Sequence, residues 1–231
     1  MPFGPKVVVT GFGPFGGVLL NSSTIAVQTL RNRWRSMEPG LSPTIDLIVL
    51  PNIEVSYRNV DVVVSEIWNI IKPDLVIHVG VDATSSTIKL ETQSGSGPYV
   101  LEDVCGLTCD FEDLRGHICT TLSLSEPCAL LQSAGYSCCL STNPGRFLCS
   151  YIYHRYENIF NLIVVTLINF RSLERDPNRT LFVHVPTISE IFTPDYLGDF
   201  LLLLIISLCK QCGLQITQSL EDYFRKQTTR T

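Results

Sequence analysis

Along the chain, short apolar runs rich in β-branched residues alternate with longer segments whose apolar positions recur at helical spacing. Residues 6–10, KVVVT, are apolar through their centre and stop at glycines, the pattern of a strand buried on both faces of a parallel sheet. Asn21, Ser22 and Ser23 supply N-cap chemistry in front of Ile25, Val27, Leu30 and Trp34, which fall near helical spacing. Residues 44–50 predict a strand stopped by Pro51, residues 57–71 a helix ended at Pro73, and residues 74–80 another buried strand. Residues 91–126 carry no clear period and read as irregular. Beyond them, residues 136–142 and 180–186 predict two more strands, and residues 195–212 a final helix.

Strand, helix, strand, helix, strand is the order of right-handed crossovers that cover a sheet with helices. The expectation is a single-domain, three-layer α/β/α fold with a mostly parallel twisted sheet, spanning residues 1–231. A chain of 231 residues, 45% hydrophobic and 17% charged, has ample material for one core.

The net charge of −5, with Lys and Arg scattered along the chain, argues against a nucleic-acid partner. The first residues lack the basic start, apolar core and small-residue cleavage site of a secretory signal, so a cytoplasmic location is expected. The two most apolar runs, 159–170 and 200–209, fall short of the roughly 20 residues a membrane helix needs, and no membrane partner is expected. Nine cysteines in such a chain read as reduced, buried thiols. The one tight pair, Cys209-x-x-Cys212, lies in an apolar helix-like run, and no metal site is expected.

Gly11, Gly13 and Gly16 match the spacing of a dinucleotide-binding turn. That turn needs its third glycine at the start of the helix, where backbone N–H groups meet the pyrophosphate. Here residues 17–20 intervene before Asn21, and Phe12, Pro14 and Phe15 occupy the turn, so a nucleotide is disfavoured. The loop instead offers two aromatic rings at the carboxyl end of a buried strand, either to cap the core or to line a site for a weakly polar ring.

VVVTGFGPFGG at 7–17, Asn21 and its helix, VIHVGV at 76–81, Leu90-Glu91, GRFLC at 145–149 and FVHVP at 182–186 stand in one characteristic order. In that order the sequence resembles the pyroglutamyl-peptidase I family, cytosolic cysteine exopeptidases that remove an N-terminal pyroglutamyl residue. The resemblance implies a catalytic Glu91, Cys149 and His184, with Cys149 on a strand-to-helix turn. It also implies an aromatic pocket for the neutral lactam ring, flanked by Phe12 and Phe15, with the Val81 backbone contributing. The chemistry suits these residue types: a thiolate attacks, an imidazole moves the proton, and a carboxylate fixes its tautomer. N-terminally pyroglutamylated peptides are the implied substrates, no metal or organic cofactor is needed for such acyl transfer, and the oligomeric state stays open. Of the other histidines, His78 is placed to line the site, while His117 and His154 fall in irregular stretches.

Four features depart from the family pattern. Pro144 replaces a small residue in the nucleophile loop, where a fixed φ and a lost N–H donor threaten a shifted backbone. Thr92 and Ser96 stand where a basic residue and an asparagine are usual. The segment 100–135 is short. Finally, residues 155–170, RYENIFNLIVVTLINF, form an apolar insertion between nucleophile and histidine. These departures leave a second reading beside the enzyme: a catalytically impaired relative that keeps the fold for binding.

Overall fold

The computed structural model describes residues 4–37, 44–110, 112, 114, 116–154 and 172–228. The apolar insertion at 155–170 lies outside them. In chain order the elements are β1 (Lys6–Phe12), α1 (Ser22–Met37), β2 (Asp46–Ile53), α2 (Tyr57–Glu66), β3 (Leu75–Val81), β4 (Ile88–Glu91), α3 (Ser125–Ser133), β5 (Cys138–Ser141) and α4 (Leu148–Tyr153). They continue with α5 (Ser172–Arg175), β6 (Thr180–Val185), α6 (Pro194–Gln211) and α7 (Gln218–Thr228).

The described strands form one six-stranded sheet in the order β2-β1-β3-β6-β4-β5. β2, β1, β3 and β6 run parallel, while β4 pairs antiparallel with β6 and parallel with β5. This is the mostly parallel α/β architecture read from the alternation of elements. Successive side chains point to opposite faces. Val7, Val9, Ile77 and Val183 therefore join α1 and α6 in the larger core, while Val8 and Val76 face Ile67 and Trp68 on the other side.

The helix caps follow their residues. Asn21 Oδ1 accepts from the Ser23 N–H at 3.0 Å, Ser56 Oγ from Asn59 N–H at 3.2 Å, and Thr193 Oγ1 from Tyr196 N–H at 3.1 Å. The expected helix 57–71 is α2 continued by a π-turn over Ile67–Ile71, closed by Lys72 at a φ of 55° just before Pro73. None of the described helices is long and apolar enough to cross a membrane.

Three differences from the expected elements have physical causes. Pro51 lies inside β2 rather than ending it. β2 is an edge strand, and its register against β1 slips by one residue between Thr10 and Phe12, so the missing N–H falls at a bulge. β4 goes unsignalled because four residues show no period on their own, and its partners β5 and β6 lie far along the chain. Helices α3 and α7 also go unsignalled. α3 carries Pro127 in its first turn, and α7 is a polar helix that buries Leu220.

Candidate active site

Alternation on the central strands assembles the chemistry. In the β3–β6 ladder Gly80 is the partner of His184, and in the β6–β4 ladder His184 stands opposite Lys89, one diagonal step from Glu91. All four residues point to the sheet face that carries α4. His184 Nδ1 lies 2.8 Å from Glu91 Oε1, with His184 6% exposed and Glu91 fully buried. A carboxylate at Nδ1 makes that nitrogen the donor and leaves Nε2 as the ring nitrogen available to Cys149.

Cys149 is the second residue of α4 and is half-buried. β5 delivers the chain to it through a turn in which Ser141 Oγ accepts from Asn143 N–H, Asn143 Oδ1 accepts from Gly145 N–H, and Gly145 takes a φ of 76°. Pro144 is buried in that turn. The backbone shift expected of it does not carry the thiol away from His184, because the positive φ at Gly145 makes the reversal and Phe147 resumes extended geometry as the cap of α4. α4 itself is short, six residues, so any helix field on the thiol is correspondingly small.

Burial by itself depresses the pKa of His184, but the Cys149 thiolate beside it and the Glu91 carboxylate outweigh burial and raise it to about 10. The imidazolium is thus the resting form of His184 at neutral pH. Glu91 is anchored through its backbone, whose carbonyl accepts the Tyr153 O–H at 2.9 Å. Its Oε2 is buried with no hydrogen-bond partner among the described residues. The positions that depart from the family pattern turn elsewhere. Thr92 Oγ1 donates to the Ser141 carbonyl at 3.0 Å, and Ser96 lines a neighbouring cleft.

Beside Cys149 runs a narrow apolar slot. Phe12, Phe15 and Val81 line it, together with Phe147, Leu148, Val55 and Asn21, which sequence reasoning had not assigned to it. Phe15 and Phe147 face each other with ring centroids 6.0 Å apart. Asn21 is held rigid, its Nδ2 donating to the Gly13 carbonyl at 3.0 Å and its Oδ1 capping α1. Asn21 and Phe147 both sit in stretches that carried the family resemblance, so a signal for them was present. Val55 had none, since it reaches the slot through the β2–α2 connection.

His78 does not line the site. It is fully buried below Gly80, with Nδ1 at 2.8 Å from Thr10 Oγ1 and Nε2 at 2.7 Å from Ser172 Oγ, and burial drives its pKa down to about 3. His154 is also ordered: it ends α4, fully buried, with Nδ1 2.7 Å from Ser94 Oγ.

The family model described as pyroglutamyl peptidase matches residues 5–94. Pyroglutamyl-peptidase 1 of Rattus norvegicus is 33% identical over 198 residues, covering 83% of this chain and 84% of the relative, and the Homo sapiens protein matches to the same extent. The pyrrolidone-carboxylate peptidase of Vibrio vulnificus strain CMCP6 is 25% identical over 190 residues, 80% of each chain. Among solved structures, the pyrrolidone carboxyl peptidase of Fervidobacterium islandicum AW-1 superposes with a TM-score of 0.69 at 22% identity, covering 89% of this chain and 99% of that one, which shows the fold. With a third of the residues shared across most of both chains, the chain belongs to the pyroglutamyl peptidase family.

Proposed function

We propose that this chain is a cysteine-type pyroglutamyl peptidase, releasing pyroglutamate from the N-terminus of peptides. The observation that carries the reading is the line Glu91–His184–Cys149 ending beside an apolar slot walled by Phe12, Phe15, Phe147 and Val81. Such a wall suits an uncharged lactam and disfavours the ammonium of an ordinary N-terminus, which would lose its hydration there.

Cys149 Sγ, as thiolate, adds to the carbonyl carbon joining the pyroglutamyl residue to the next one. As the tetrahedral adduct collapses the C–N bond breaks, and His184 gives its Nε2 proton to the departing amine nitrogen. The neutral imidazole then takes a proton from a water molecule whose oxygen attacks the thioester, and the C–S bond breaks to free pyroglutamate and the thiolate. Glu91 keeps Nδ1–H oriented and stabilises the imidazolium throughout. The slot's room is about 20 Å³, near that of one water, so the ring enters as half-buried Phe15 and Phe147 part.

The reading of a catalytically impaired relative drew on Pro144 and on residues 155–170. The turn at Gly145 accommodates the first, and the second lies outside the described residues. The test is release of a fluorogenic amine from its pyroglutamyl conjugate. Turnover is expected, and is lost in Cys149→Ala. Failure of well-folded protein to release amine overturns the enzyme reading.

A further inference from the structure

On the far side of the nucleophile loop from the slot lies a second cavity of about 240 Å³, to which the mechanism gives no role. His117 adds to its lining, and two of its walls adjoin the segments that carry Glu91 and Cys149. One is Gly95–Gly97, just past Glu91, and the other is Thr142–Arg146, just before the cap of α4. It abuts α4 directly: Gly95 N–H donates to the Oγ of Ser150, the neighbour of Cys149, at 2.7 Å, and the Gly145 carbonyl lies 3.0 Å from where a Cβ on Gly95 would stand. One loop thus lines the cavity with its first half and the slot with its second, with Cys149 following.

The lining is polar and of one sign. Arg146 contributes a guanidinium, Ser96, Thr142 and Asn143 are neutral, and no carboxylate lines the cavity among the described residues. Arg146 is exposed and has no ion-pair partner among them. In a chain of net charge −5 this is a local reversal of sign. His117, which also lines the cavity, donates from Nδ1 to the Ser94 carbonyl at 2.8 Å.

We propose that this cavity receives the peptide beyond the pyroglutamyl residue, and that Arg146 makes it favour an acidic side chain at the first position after the scissile bond. The inference rests on the reading of the slot and Cys149 given above. With the lactam ring in the slot and its carbonyl at Cys149, the leaving chain runs across the loop toward Arg146. A Glu or Asp side chain there meets a guanidinium that fits a carboxylate with two parallel hydrogen bonds, and a Lys meets a like charge.

The test separates binding from turnover. Cys149→Ala protein is titrated calorimetrically at low salt with three peptides: pyroglutamyl-Glu-Ala amide, pyroglutamyl-Ala-Ala amide and pyroglutamyl-Lys-Ala amide. The acidic peptide is expected to bind about two- to fivefold more tightly than the alanine peptide, the range exposed ion pairs give, and the lysine peptide more weakly. Arg146→Gln in the same background erases the spread, Arg146→Glu reverses it, and 0.5 M salt narrows it. Equal affinity for all three peptides, or a spread that survives Arg146→Gln, overturns this inference and leaves the slot reading standing. Failure of all three to bind overturns the slot reading and the inference with it.

Discussion

Gly80 has no side chain because the thiol fills the place where one would be. A Cβ built there stands 2.7 Å from Cys149 Sγ and 2.8 Å from Phe182 Cζ, both closer than real contacts allow. Gly80→Ala therefore pushes the Cys149 thiol or the ring beneath His184 out of line. Because reacting atoms tolerate little misplacement, kcat/KM is expected to fall about tenfold or more while the Tm changes by a few degrees; wild-type kinetics from this variant would refute the packing described. Two of the buried histidines, His184 and His78, make opposite demands on pH. His184 is raised to about 10 from its ordinary 6.5, so the stability it contributes is complete below pH 6.5 and is lost as pH rises to about 10. His78 is lowered to about 3, so the unfolded chain takes up its proton first and stability falls as pH drops below 6.5. Between pH 6.5 and 5 the loss through His78 is about 2 kcal/mol. Denaturant titrations of wild type and His78→Gln across that window check this: the variant, less stable at neutral pH, should show a flatter slope.

At the scale of elements, the site is a junction of β4, β6 and α4, and Tyr153 is its rivet. Its O–H reaches the Glu91 carbonyl at 2.9 Å, and its ring packs at a tilt against Phe182, which in turn lies 4.8 Å from the His184 ring. Tyr153→Phe keeps the ring and removes the bond, which is expected to cost about 1 kcal/mol of stability and to lower kcat with little change in KM. A loss confined to Tm, with kcat intact, would mean that Tyr153 only packs. This junction also shows why some of the site was legible in the sequence and some was not. Glu91, Cys149 and His184 are singled out by what the family resemblance implies, not by local pattern, while β1, β3 and β6 are buried on both faces, so their apolar runs announce them. β4 is four residues long and gains its identity from strands about 50 and 90 positions away. The Ser94–His154 and Gly95–Ser150 bonds span 60 and 55 residues, and no local pattern encodes such partners. Gly80 belonged to a quoted motif, yet its task becomes visible when Cys149 arrives over it from the other end of the chain.

Over the whole molecule, the sheet divides labour between its faces. One face carries the larger core, in which α6 buries an unbroken run from Phe200 to Ile206 against α1 and the strands. The other carries α2, α4, the slot and the residues Glu91, Cys149 and His184. A helix as apolar as α6 stays out of solvent because more than the sheet covers it, and α7 supplies part of that cover: Leu220 is fully buried, Tyr223 and Phe224 pack on the same core, and Lys210 Nζ sits 4.5 Å above the Phe224 ring. Cover on this face and catalysis on the other should be separable. A chain ending at Thr217 loses the burial of Leu220 and of two half-buried aromatics, about 3 kcal/mol, which for a chain of this size lowers the Tm by roughly 6–12 °C. It also leaves an apolar stripe on α6 that promotes self-association on warming. At 25 °C, below its transition, KM for a pyroglutamyl conjugate should match that of the full chain, because α7 approaches neither the slot nor Cys149. Calorimetry together with steady-state kinetics on the same preparation decides the matter. A raised KM in a truncated chain that is still folded would show that the two faces are coupled through the strands, and an unchanged Tm would show that α7 is not needed to cover the core.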